Sequence, residues 1–339
     1  MTDFLDSAAD AQSAAPNFSN LSPDIVLDAL DAVGIRGDGR LLALNSYENR
    51  VYQLWRDDGP PLVAKFYRPA RWTLGQIREE HAFVEALAEQ ELPVVPAMRL
   101  TGAGSVHEYQ GFHYAVFAKH GGRAPELEQP GTLAWLGRFI GRIHATGALA
   151  SFTLRPAIDI ASFGEASRDY LLENDFLPPT LRSAYFSVVE QALAGVRRCY
   201  ERAGETAAIR LHGDCHCGNV LWTDAGPHFV DFDDSRMGPA IQDLWMLLSG
   251  ERTDQIRQLG DLLSGYEDFF EFDSRQLHLI EALRTLRLVH YAAWLARRWD
   301  DPAFPIAFPW FNTERYWQDR ILELREQVAL MDEPPLWQS

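Results

Sequence analysis

The chain is poor in the residues that would commit it to a crosslinked scaffold or a charged surface. Only three of its 339 residues are cysteine, Cys199, Cys215 and Cys217. That odd number implies no disulfide framework and fits a reducing cytoplasm. Positive charge is the scarcer sign, 31 Lys and Arg against 48 Asp and Glu, for a formal net charge of −17. The acidic residues are spread along the chain, which argues against the basic footprint of a general nucleic-acid or anionic-membrane binder. No apolar run approaches the length of a membrane span. The first basic residue is Arg36, so the charged start of a secretory signal is also missing. Apolar residues, by contrast, are plentiful: at 47% hydrophobic and 23% charged, the chain can fill a large core, and its length suggests two lobes.

Residues 1–20 are rich in Ala, Ser and Asp without periodicity and are expected to form a disordered tail. Ser22-Pro23 starts a helix, with Ser as cap, Pro in the first turn and Ile25, Leu27 and Leu30 as apolar positions. Residues 41–44 and 50–54 read as a hairpin around Asn45-Ser46-Tyr47-Glu48-Asn49, and 61–67 as the next strand. Helical spacing follows over 74–91, where Ile77, His81, Val84 and Leu87 share a face beside Glu79 and Glu80. Strand-like runs at 98–100 and 112–117 complete a small antiparallel sheet, and residues 118–122 break it as a hinge. A helix over 132–146 is expected to stop at Gly147. Further helices are expected over 161–174, 179–203, 240–249, 254–270 and 274–299, with a last one ending near 331. The expected class is α+β with two lobes: a small antiparallel β lobe at 21–118 and a larger, mainly helical lobe at 119–339. No internal repeat is present.

The stretch with the most chemistry is Leu211-His212-Gly213-Asp214-Cys215-His216-Cys217-Gly218-Asn219. A short apolar run, a turn at 224–227 and Phe229-Val230-Asp231-Phe232-Asp233-Asp234 follow it. Loop, strand, turn, strand and carboxylate in this order bring Asp214, Asn219 and Asp231 to one end of a small hairpin. Such a set suits phosphoryl transfer, which needs a carboxylate to orient and deprotonate the incoming hydroxyl and hard oxygen ligands for Mg²⁺ on nucleotide phosphates. The spacing D-x-x-x-x-N gives Asp214 the first role, with Asn219 and Asp231 as metal ligands. V-A-K-F resembles the strand lysine of kinases, which implies that Lys65 neutralises the phosphates and pairs with a helix Glu, although a lone strand lysine more often faces solvent. Glu80 is the better candidate than Glu79, because it neighbours the apolar face. A lone Asp would more simply cap a turn; the ordered set of three favours the chemistry.

A small β lobe, a hinge and a helical lobe carrying H-G-D-x-x-x-x-N and D-F-D resemble the protein-kinase-like enzymes. His-Gly-Asp resembles the aminoglycoside phosphotransferase and choline kinase branch. More narrowly, the chain is similar to the bacterial stress response kinase A (RdoA/YihE) family over residues 21–335. The carrying stretches are N-S-Y-E-N-R-V-Y-Q at 45–53, V-A-K-F-Y-R-P at 63–69 and G-G-R at 121–123. They continue with L-H-G-D-C-H-C-G-N at 211–219, M-G-P-A-I-Q-D-L-W-M-L-L at 237–248 and R-R-W-x-D-P-A-F-P at 297–305. The resemblance implies a cytoplasmic, ATP- and Mg²⁺-dependent serine/threonine kinase of the stress response. Asp214 would be its proton acceptor, Asn219 and Asp231 its metal ligands, and Ser46 an ATP-contacting residue. The hinge backbone at 117–119 would meet adenine. Partners would be proteins offering Ser or Thr, with no nucleic acid, no membrane and a monomeric chain. Two departures stand out. Cys217 replaces the expected small residue, and residues 45–49 hold no G-x-G-x-x-G, so donors of Ser46, Tyr47 and Asn49 would have to hold the phosphates. D-F-G, A-P-E and an activation loop are missing as well.

Other readings compete. Cys215-His216-Cys217 with His212 invites zinc, but the spacing is wrong and no second ligand pair exists. His212 is expected to hold the loop by hydrogen bonds rather than act as a base. Asp243 either braces that loop through His212 or backbone amides, or is an ordinary first-turn carboxylate. Asp233 is a candidate auxiliary metal ligand and Asp234 an exposed residue. The aromatic helix with Tyr291, Trp294 and Trp299 reads as core more than as a pocket wall. The main functional alternative is a kinase of amino alcohols or aminoglycosides; a catalytically dead fold is disfavoured by the intact Lys65, Asp214, Asn219 and Asp231.

Overall fold

The structure is a computed structural model that describes residues 18–100 and 104–336. The expected tail lies outside the described residues except for Phe18–Asn20, which form a 3-10 turn. The chain divides into two compact units. One is built from the chain up to Leu74 together with Ala97–Lys119, the other from Gly75–Pro96 together with the chain from His120 onward.

In the first unit Ser22 accepts the N–H of Ile25 and Pro23 fills the first turn, so α1 runs over Pro23–Ala32 with Val26, Ala29 and Leu30 buried. Five strands form one antiparallel sheet: β1 (Leu41–Ala43), β2 (Arg50–Arg56), β3 (Gly59–Phe66), β4 (His107–Tyr109) and β5 (Phe112–Ala118), in the order β1-β2-β3-β5-β4. Side chains alternate across a strand. Leu62, Ala64 and Phe66 of β3 and Phe112, Tyr114 and Val116 of β5 therefore join α1 in one apolar cluster. The Tyr114 hydroxyl donates to the Ala29 carbonyl at 2.5 Å and ties sheet to helix. Burial pushes the Tyr114 phenol up to about 12. The strand expected at 98–100 is not formed. Met98 donates one N–H to Val116 at 2.7 Å, and only isolated bridges follow. The edge strand is instead β4, whose His-Glu-Tyr is too short and polar to show alternation.

The second unit contains α2 (Leu74–Glu89) and is mainly helical. It continues with α3 (Thr132–Gly147), α4 (Ala166–Glu173, entered through a π-helical turn at Ile160–Glu165) and α5 (Pro179–Ala203). Four short strands follow, β6 (Ile209–Arg210), β7 (Val220–Thr223), β8 (Gly226–Phe229) and β9 (Met237–Gly238). They pair antiparallel as β6 with β9 and β7 with β8. The chain then forms α6 (Ile241–Trp245), α7 (Arg252–Tyr266), α8 (Ile280–Ala296, preceded by a 3-10 stretch Ser274–Leu279), α9 (Ala303–Ala307) and α10 (Glu314–Leu330). One apolar cluster gathers Phe83, Leu136, Phe229, Leu244 and Leu262 around the β7–β8 hairpin. A second gathers Val189, Leu286 and Trp317 from α5, α8 and α10. Trp294 of the aromatic helix and Trp299, which lies just past its end, pack on that second cluster, against Phe304 and Phe311 respectively. The core reading of that helix is thus the right one.

Gly147 does not stop α3 but belongs to it, and Ala148 is the cap. A Cβ on Gly147 would lie 2.2 Å from the Arg210 carbonyl, so contact with β6 requires this glycine. Close approach also explains Gly137 and Gly141 of α3 and Gly265 of α7. Added Cβ atoms there would lie 2.0 Å from the Leu262 carbonyl, 2.5 Å from that of Tyr266 and 1.9 Å from that of Ala134. The two helices meet backbone to backbone. Gly141→Ala should therefore destabilise the protein by about 1–3 kcal/mol in urea unfolding. Gly121→Ala, where a Cβ meets nothing within 4 Å, should stay within about 0.5 kcal/mol of the parent. Equal midpoints for the two variants would refute this account of the α3–α7 contact.

Candidate functional site

Asp214 lies between β6 and the 3-10 turn Cys217–Asn219, on a loop fixed by its neighbours. His212 N–H donates to Asp243 Oδ2 at 2.8 Å and Gly213 N–H to Asp243 Oδ1 at 2.9 Å. Asp243 is the brace that sequence reasoning left open. His212 Nε2 donates to the Val230 carbonyl at 2.9 Å, which leaves Nδ1 to face the Asp214 N–H at 3.4 Å. His212 thus holds the loop, as expected. Gly213 has φ +87°, and a Cβ there would lie 2.1 Å from the Asp234 carbonyl; both conditions exclude a side chain.

The hairpin sets the other two residues. Val220 pairs with Phe229, and Val230 N–H donates to the Asn219 carbonyl at 3.0 Å. Asn219 and Asp231 therefore lie at the open end, immediately before β7 and two residues after β8. Asn219 Nδ2 donates to the Asp214 carbonyl at 2.9 Å, so its amide oxygen is the atom left to ligate. Asp231 is exposed with φ 61° and ψ 59°, a left-handed backbone that Asp tolerates better than most residues. An amide oxygen and a carboxylate are hard donors that fit Mg²⁺, which completes its shell with phosphate oxygens and water. Among the described residues no group of three His, Cys, Asp or Glu side chains could hold a metal. The Cys-His-Cys segment is used otherwise: Cys215 is buried in the core, and the His216 ring accepts the Gly218 N–H at 2.9 Å.

Burial would raise the Asp214 carboxyl, but a hydrogen bond from His216, the charge of Arg287 and the polar rings of His216 and His212 outweigh it and hold it well below the ordinary carboxylate range. His216 Nε2 lies 3.4 Å from Oδ2 and Arg287 Nη1 2.8 Å from Oδ1. Asp214 is thus a carboxylate throughout the physiological range. Sequence reasoning missed Arg287, which sits in a helix read only for its apolar spacing.

Of the two helix glutamates, Glu79 accepts the N–H groups of Thr153, Leu154 and Arg155 and the Thr153 hydroxyl, at 2.6–3.1 Å. Its exposure is modest, and these bonds lower its pKa against the opposing pull of burial. Glu80 is the buried one, 3% exposed, with its carboxylate 3.7 Å from Arg155 Nη2. Arg155 in turn donates to the Asp233 carbonyl at 2.7 Å. An arginine thus links Glu80 to the segment after Asp231. Asp233 is buried, whereas the Asp234 side chain is 41% exposed beside Arg236.

In the first unit Lys65 of β3 is paired in register with Val51 and Ala115 and is buried, its ammonium 5.3 Å from the Tyr67 ring centre. It is one of only two lysines, with Lys119, among 31 basic side chains. Ser46 is half-buried in the 45–49 loop. Arg68 braces that loop: its guanidinium donates to the carbonyls of Glu48 at 2.9 Å and Tyr47 at 3.0 Å, and its N–H to Asn49 Oδ1 at 3.0 Å.

The family model described as "Phosphotransferase enzyme family" matches residues 40–280. The chain belongs to the phosphotransferase enzyme family. This transferase is 46% identical over 319 residues to stress response kinase A of Salmonella choleraesuis (strain SC-B67), covering 94% of this chain and 96% of the relative. It is 45% identical, at the same coverage, to "Serine/threonine protein kinase RdoA" of Salmonella typhimurium (strain LT2). Among solved structures, a microcompartment-associated aminopropanol kinase superposes with a TM-score of 0.69 at 16% identity, over 92% of this chain and 97% of that one. That likeness shows the protein-kinase-like fold. No helix of the transferase is long and apolar enough to cross a membrane among the described residues.

The network behind the loop extends further than its sequence suggests. His144 of α3 donates from Nε2 to Asp243 Oδ2 at 3.1 Å, and its Nδ1 meets the Tyr266 hydroxyl at 2.8 Å. All three groups are buried. Asp243→Ala would leave two backbone N–H groups and a ring N–H unsatisfied, and should cost about 3 kcal/mol or more in urea unfolding. His144→Ala, which removes only one of those partners, should cost less. The reverse order would contradict Asp243 as the brace.

Proposed function

We propose that this transferase is an ATP- and Mg²⁺-dependent kinase of protein Ser and Thr hydroxyls, acting in the cytoplasm as a monomer in the stress response. The observation that carries the reading is the placement of an ionised Asp214, its loop pinned by Asp243, beside Asn219 and the hairpin end that bears Asp231. Asp214 would orient the acceptor hydroxyl and take its proton as the oxygen's bond to the γ-phosphorus forms and the bond to the departing ADP breaks. Asn219 and Asp231 would hold the cation, which supplies charge neutralisation on the phosphates. Lys65 would offer positive charge to nucleotide phosphates, and Ser46 would contact the nucleotide from the 45–49 loop. The relatives named as stress response and serine/threonine kinases support a protein acceptor. The aminopropanol kinase fold keeps a small-molecule acceptor as the second reading.

Purified protein with labelled ATP and Mg²⁺ should label itself or a generic Ser/Thr protein, and EDTA should stop the transfer. Labelling of amino alcohols alone would decide for the second reading. Asp214→Asn should lower turnover by roughly 10²–10⁴-fold while nucleotide affinity changes little. Arg68→Gln should act in the opposite sense, raising KM for ATP about ten-fold with kcat nearly intact, since it loosens a binding loop without touching the proton acceptor. A loss confined to kcat would show that the 45–49 loop does not hold the nucleotide.

A further inference from the structure

Arg287 is the residue of the site that the motif-level reading leaves without a task. It projects from α8, whose Leu283, Leu286 and Val289 are buried in the core, yet its own side chain is 42% exposed. Its partner is Asp214, at 2.8 Å. No second carboxylate lies within ion-pair distance of it among the described residues. On the other carboxylate oxygen of Asp214 lie His216 at 3.4 Å and the Asn219 amide nitrogen at 3.5 Å. Both oxygens thus face nitrogen donors. Further along the chain, the partly exposed Asp234 is met by Arg236 at 4.0 Å. The half-buried His290, one turn on, is held down to about 3 by burial first and then by the charges of Arg236, Arg297 and Arg298, against the opposite pull of Asp234.

A lone aspartate at the acceptor position carries a full negative charge and draws an ammonium group toward the hydroxyl it activates. A guanidinium in contact cancels that attraction, and it repels a second cation within a few ångströms. We propose that Arg287 is a specificity-determining residue that selects acceptor hydroxyls set among neutral or anionic groups and rejects those flanked by an ammonium. This rests on the reading of Asp214 as the group that receives the hydroxyl. It deepens that reading by naming the acceptor's charge class. The exposed position lets Arg287 swing to an acceptor carboxylate or phosphate while Asp214 takes the hydroxyl.

The test uses the full chain with Mg-ATP and two matched acceptor pairs. One pair is a serine peptide with acidic or with basic flanking residues. The other is glycerate or 3-aminopropane-1,2-diol. The parent should favour the acidic member of whichever pair it labels by about ten-fold. Arg287→Gln should erase that preference, Arg287→Glu should invert it, and Arg287→Lys should keep it. The lysine variant also serves as the control for folding. A parent that prefers the basic member, labels no acidic acceptor, or keeps its preference unchanged in Arg287→Gln would overturn the proposal. Labelling of the alcohols alone, with glycerate favoured, would remove the protein-kinase reading and leave the charge selection standing.

Discussion

The carboxylate of Asp243 receives the N–H groups of His212 and Gly213, one on each oxygen, and the position of Asp214 follows from those two bonds. A loop residue has no ladder to hold it, so its precision must come from side chains behind it. Here the support is layered. Asp243 is oriented by His144, His144 is met by Tyr266, and both helices that carry the last two residues touch at glycines that let their backbones meet. Packing of α3 against α7 is in this way a condition of where Asp214 sits. The arrangement is also costly to disturb, because every group in it is buried and a lost partner leaves a polar atom dry.

A second chain of contacts serves the segment after Asp231. Glu80 on α2 faces Arg155, and Arg155 donates to the Asp233 carbonyl. Arg155 is suited to this because a planar guanidinium can meet a carboxylate and a carbonyl at once, whereas an ammonium is a point charge. The chain uses arginine for nearly all its cations, so the retention of lysine at position 65 stands out. An ammonium is a compact point charge with rotatable donors, where a guanidinium is a planar fork.

The sequence made the architecture legible where periodicity and punctuation agree. Ser22-Pro23 announced α1, the Asp224–Pro227 turn announced the β7–β8 hairpin, and the D-x-x-x-x-N spacing located Asp214 and Asn219 beside each other. It failed where the signal is carried by partners distant in sequence. β4 has no alternation of its own and exists because β5 offers it an edge. Gly147 looks like a helix stop, but its reason is the Arg210 carbonyl against it. Arg287, Arg155 and His144 show no local motif at all. Each is recognisable only once the fold has brought a carboxylate or a carbonyl within reach.

The loop at 45–49 shows how a backbone can be fixed where glycine is missing. Glycine amides hold phosphates because the backbone can come close and remain pliable. Residues 45–49 contain no glycine, so the backbone must be set by other means. Arg68 supplies them, binding two of the loop's carbonyls from one side while its own N–H is taken by Asn49. Glu48 adds an ion pair to the same guanidinium at 3.1 Å. A loop fixed in this manner gives up adaptability for preorganisation, which lowers the ordering cost of ligand binding. The spacing of Arg68 from Lys65 along one strand end then couples the two. The same segment that carries the buried lysine also carries the arginine that shapes the loop, and a change in the register of β3 would displace both together.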